Sequence, residues 1–177
     1  MSTDSPAHPE GPGPTARPAP RVPIDSRSAF QQAVREALAE AARVGCRELV
    51  LVDPDFSAWP LGEAAVIESL AQWAYAHRRL TLLAARYDEV IRHQPRFVRW
   101  RVQYAHVVEA WTPQEDDAAD LPSLLHAPGL LAVRLFDAQR FRGAVDRSAA
   151  EDAQCRERVD AFLQRACESF PASTVGL

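Results

Sequence analysis

Lysine is absent: all 20 basic residues of this 177-residue chain are arginine. That excludes Schiff-base chemistry on lysine, a P-loop lysine and every other catalytic use of an amine side chain. Cysteine is scarce. Cys46, Cys155 and Cys167 are odd in number and lack CxxC spacing, which argues for reduced thiols and a cytoplasmic setting rather than a disulfide framework. Cys155 and Cys167 fall on one predicted helix, too far apart to bridge. No charged start runs into an apolar segment, so no signal peptide is expected, and no apolar run approaches the length of a membrane span. The net charge of −4 gives no global attraction to nucleic acid or anionic lipid. A hydrophobic fraction of 47% against 25% charged is what a folded core requires.

Residues 1–25 hold seven of the 14 prolines and few apolar anchors, and read as a disordered Pro-rich tail before a single α/β domain over 26–177. Ser26 or Ser28 caps a helix whose Phe30, Val34, Leu38 and Ala41 recur at helical spacing until Gly45 ends it. ELVLVD (48–53) reads as a buried strand, followed by the loop DPDFSAWPLG. A helix is predicted over 63–77, a strand over 80–85, a helix over 87–104 broken at Pro95, and a strand over 107–111. An acidic loop (112–120) precedes a hairpin formed by GLLAVRLFD (129–137) and RFRGAV (140–145). A last helix is predicted over 148–169. Alternating helices and strands imply a mixed, mostly parallel sheet flanked by helices, with a late antiparallel hairpin and a C-terminal helix.

Several residues invite a chemical reading. DPDFS after an apolar strand resembles the DxDx(S/T) start of haloacid dehalogenase-like phosphatases. The resemblance implies Asp53 as nucleophile and Asp55 as proton shuttle around magnesium. The chain departs from that family where Ala84 and Ala85 replace its Ser or Thr, and in having no lysine. Without that chemistry, Asp53 and Asp55 shape a turn and cap the helix that follows, and Trp59 packs as a lid. The order of elements, ending in hairpin and helix, resembles one phospholipase D-like domain. Aligned on Asp137, LLAVRLFD puts Leu130 and Ala132 where HxKxxxxD has its nucleophile and its phosphate ligand, so only Asp137 matches. DPDFSAWPLGE, AHRRLTLLAARYDE and FPASTVGL further resemble a proteobacterial family with no activity to transfer. The phospholipase D-like resemblance implies pairing of two domains, and apolar Leu130 and Ala132 at the pairing face imply a homodimer. The histidines lack metal-binding spacing and no nucleophile elbow is present, so neither metal nor cofactor is expected.

Seven arginines lie between Arg78 and Arg101, with Tyr87, Phe97, Trp100 and Tyr104 interleaved. Arg92, Arg96, Arg99, Trp100 and Arg101, with Trp59, are the candidate binding residues. The reading that results is a non-catalytic phospholipase D-like α/β domain that acts as a binding or assembly module. A homodimer or protein partner is expected, and nucleic acid and membrane are not. The alternatives are a magnesium-dependent phosphatase built on Asp53 and Asp55, and a nucleic-acid-binding module using the Arg-rich helix 86–101.

Overall fold

The computed structural model describes residues 21–75 and 77–171. Strand β1 (Val22–Ile24) leads into helix α1 (Arg27–Val44), where the Ser26 hydroxyl accepts from the Ala29 amide and Gly45 closes the helix in the left-handed region at φ 72°. Strand β2 (Glu48–Val52), helix α2 (Ala64–Trp73) and strand β3 (Arg79–Leu83) follow. Pro95 splits the next helical segment as its sequence requires, giving α3 (Asp88–His93) and α4 (Pro95–Gln103) with Pro95 in the first turn of α4. Strand β4 (Val108–Thr112) and the single turn α5 (Glu115–Ala118) come next. The chain finishes with β5 (Leu124–Ala127), β6 (Leu131–Asp137), β7 (Arg142–Asp146), α6 (Ala149–Leu163) and β8 (Cys167–Glu168).

The eight strands of the described residues form one sheet in the order β1-β7-β6-β5-β2-β3-β4-β8. Only β2–β3 and β3–β4 pair parallel; the other five pairings are antiparallel. The expected mostly parallel sheet is therefore corrected to a mostly antiparallel one with a parallel centre. The physical reason lies after β4. The α5 turn is too short to serve as a crossover helix, and the chain returns to lay β5 antiparallel against β2.

Side-chain alternation along the strands divides two cores. Leu49, Leu51, Leu80, Leu82, Leu125 and Val133 face the layer of α1, α2, α3 and α4. Val52, Leu83, Leu124 and Ala132 face α6, against Cys155 and Val159. Two further expectations change. Val22–Ile24 pair with Gly143–Val145 and Ile24 is buried, so the domain begins before residue 26, and the rest of the expected tail lies outside the described residues. The last helix stops at Leu163, and Cys167 sits on β8 beside Thr112 rather than on the helix of Cys155.

Candidate functional site

The loop after β2 is built on one carboxylate. Asp53 is 5% exposed, and its Oδ1 accepts the amides of Asp55 (3.0 Å) and Phe56 (2.7 Å). Its Oδ2 accepts from Trp59 Nε1 (2.8 Å) and from the Ser123 hydroxyl. Four donors occupy the acceptor positions a carboxylate has, which leaves none for attack on phosphorus or for a metal. Asp55 accepts the Ser57 amide at 2.9 Å and pairs with Arg86 at 3.2 Å. Burial pushes the Asp55 carboxyl up, but the Ser57 and Arg86 bonds outweigh it and hold it below the usual range. Trp59 is buried edge-on to Phe30 and Phe56, at centroid distances of 5.4 and 5.2 Å. These two acids and this tryptophan hold a turn, but the acids do not cap the helix that follows: α2 begins after Glu63, with no side-chain cap.

Asp137 ends β6, where its Oδ1 accepts the Arg140 amide of the following turn at 3.1 Å. Ala132 is buried against α6, and Leu130 packs on the opposite core. Ala132 therefore offers no exposed apolar face for the expected pairing of two copies, while Leu130 is only partly buried. Among the described residues, no three His, Cys, Asp or Glu side chains gather as a metal site would need. His126, buried on β5, lies 2.8 Å from Asp152 of α6, a pair that ties helix to sheet.

The arginine-rich segment separates into two faces. Arg92, Arg96 and Arg99 are exposed, and among the described residues none has an acidic partner within 4.0 Å. Trp100 is buried, stacked on Phe97 (5.6 Å, 20°), and so gives bases no platform. Arg101 is only 6% exposed. Its Nη2 donates to the Phe170 carbonyl at 3.1 Å, and its guanidinium carbon lies 5.6 Å from the Phe170 ring centroid. Burial lowers the Arg101 pKa, and the nearby Tyr87 phenol offsets this only in part.

Arg101 lines a groove of about 720 Å³ that the sequence did not reveal. It opens at the carboxyl ends of the parallel strands, beside Ala85 after β3 and Thr112 at the end of β4. Ile91, Val98 and Val102 form one wall and Tyr87 and Phe170 the other, these two rings stacked at 4.7 Å and 9°. Ile91 and Val102 are 52% and 51% exposed there. The groove is not legible in the sequence because the last helix is expected to run to Ser169, whereas it ends at Leu163 and the chain turns through β8 to bring Ser169 and Phe170 beside α4. The spacing of Phe97 and Arg101, four residues apart, did carry the signal that Arg101 shares the buried face of its helix.

No known family model matches the chain, and no curated protein matches it. Among solved structures the fold is similar to that of TrmBL2, an archaeal chromatin protein whose structure shows a novel mode of DNA binding. The TM-score is 0.59 at 13% identity, over 84% of this chain and 54% of that one. The chain thus spans about half the length of the protein it matches. The likeness shows a shared fold. It also corrects the expectation that nucleic acid is not a partner, since this fold occurs in a protein that binds DNA.

Proposed function

We propose that this chain is a non-catalytic binding module, phospholipase D-like in architecture, whose ligand site is the groove between α3, α4 and the Ser169–Pro171 segment. The groove itself carries the reading. It has the size of a small-molecule site and apolar walls, and it sits at the carboxyl ends of parallel strands, where open α/β sheets gather ligands. The non-catalytic reading is supported by Asp53, whose carboxylate already accepts from four donors, and by apolar Leu130 and Ala132 at the positions aligned with HxKxxxxD. The order of elements and the final hairpin and helix support the phospholipase D-like architecture. An apolar fluorescent dye such as anilinonaphthalene sulfonate should brighten with the pure protein and lose that signal in Val102→Asp. Undiminished binding by a folded Val102→Asp overturns the assignment of the groove. Magnesium-dependent hydrolysis of p-nitrophenyl phosphate, lost in Asp53→Asn, or metal-independent cleavage of bis-p-nitrophenyl phosphate, lost in Asp137→Ala, would overturn the non-catalytic reading.

A second reading, a nucleic-acid-binding surface on α3 and α4, is favoured by two observations. Arg92, Arg96 and Arg99 are exposed without acidic partners among the described residues, and the fold is shared with a DNA-binding chromatin protein. Duplex DNA should then bind at low salt, with an affinity that falls as salt rises. The triple Arg→Gln variant at these positions should flatten that dependence by about 2–3 in log–log slope. No anisotropy change with tens of micromolar protein at low salt removes this reading.

A further inference from the structure

Helix α4 turns Phe97 and Trp100 into the core, and Arg101 follows them because it sits four residues after Phe97. A guanidinium taken out of water is costly unless a carboxylate and a full set of acceptors replace the lost hydration. Arg101 has neither. Among the described residues no acidic side chain pairs with it, one carbonyl accepts from Nη2, and Nε and Nη1 make no hydrogen bond. Buried donors without partners are rare in folded proteins and call for an occupant. The groove that Arg101 lines offers the room.

We propose that the groove binds a small organic monocarboxylate, its apolar body lying along Ile91, Val98, Val102 and Tyr87 and its carboxylate pairing with Arg101. This rests on the groove being the ligand site and adds the class of ligand. The planar guanidinium matches a carboxylate with two parallel N–H donors. Asp88 and Glu168 also line the groove, and Arg86, the other cation there, is paired with Asp55, so a single anionic charge on the ligand suits the lone guanidinium of Arg101 better than a dianion. The apolar walls disfavour sugars and other strongly hydrated ligands. Nε and Nη1 are closed off in the free protein, with the Phe170 ring over the guanidinium. A ligand carboxylate reaches these donors only if the Phe170 ring moves aside, and Phe170 holds a left-handed φ of 49°.

Calorimetric titration of the full chain with hexanoate, decanoate and 4-phenylbutyrate, each against its matching alcohol, tests the proposal. At least one acid should bind at least about tenfold tighter than its alcohol, the worth of a charge-assisted hydrogen bond. Arg101→Met should bring acid and alcohol to equal affinity. Equal affinities in the unmodified protein, or a preference that survives Arg101→Met, overturn the role of Arg101. Because the acid–alcohol comparison is made on the unmodified chain, it decides even where Arg101→Met fails to fold. If acids and alcohols bind equally and Val102→Asp abolishes both, the groove stands as a ligand site and only its carboxylate preference falls. If neither class binds, the proposal falls, and dye binding decides the groove separately.

Discussion

At the scale of single residues, Asp53 has the strongest local consequences. Replacing it with Asn puts an amide among donors that need an acceptor, so Trp59 Nε1 or the Ser123 hydroxyl is left without a partner in the core. Asp53→Asn should cost about 3 kcal/mol, read as a shift of the urea midpoint at unchanged slope. Asp146 supplies a pH dependence. Its carboxyl is held below the usual range first by the Ser148 hydroxyl and amide, which outweigh the opposing effect of burial, and then by Arg21 and Arg134. A carboxyl with a depressed folded pKa stabilises above its unfolded value and loses that contribution as pH falls through the folded one. Thermal stability should therefore drop below about pH 4, and Asp146→Asn should flatten that limb in a pH series of melting curves. Much of this chemistry was legible in the chain. DPDFS after an apolar strand reads as a turn built on acids, and the turn is there. Arg101 was legible only by periodicity, and its residue type argued the other way, because arginine is rarely buried.

Elements with strong periodicity were read correctly: α1 with its Ser26 cap and Gly45 stop, the break at Pro95, and the β6–β7 hairpin. β5 went unread because LLHA is four residues long, flanked by Pro122 and Pro128, with a histidine inside it. Such a run acquires strand character from β2 and β6 on either side, which no local pattern announces. β8 is two residues long and exists only through its pairing with β4. Two predictions belong here. A Cβ added at Gly143 would lie 2.1 Å from the Arg134 carbonyl oxygen, a backbone atom that cannot yield without opening the β6–β7 ladder. Gly143→Ala should thus destabilise by about 3 kcal/mol or leave the protein insoluble, in contrast to Gly129→Ala, where nothing lies within 4 Å and only the left-handed φ of 73° resists. Deletion of residues 1–24 removes β1 with buried Ile24 and should lower the melting temperature by several degrees, measured by differential scanning calorimetry against the full chain.

Across the whole molecule, the sheet carries a full layer of four helices on one face and a single long helix on the other. The amphipathic segments foretold helices and strands packed around one sheet, but not the strand order, because the placement of β5 beside β2 joins segments more than 70 residues apart. That order has a mechanical consequence. The first and last strands, β1 and β8, hold opposite edges of an eight-stranded sheet, seven interstrand spacings or about 34 Å apart along a flat sheet. A load applied between Arg21 and Pro171 runs across the strands rather than along them. Its rungs then open one at a time instead of in concert, beginning at ladders only three and two residue pairs long. Pulled from these two points in optical tweezers, the domain should yield gradually at low force. Pulled instead through cysteines placed at Glu48 and Leu83, at opposite ends of the parallel pair β2–β3, it should resist as a sheared unit and break at a distinctly higher force.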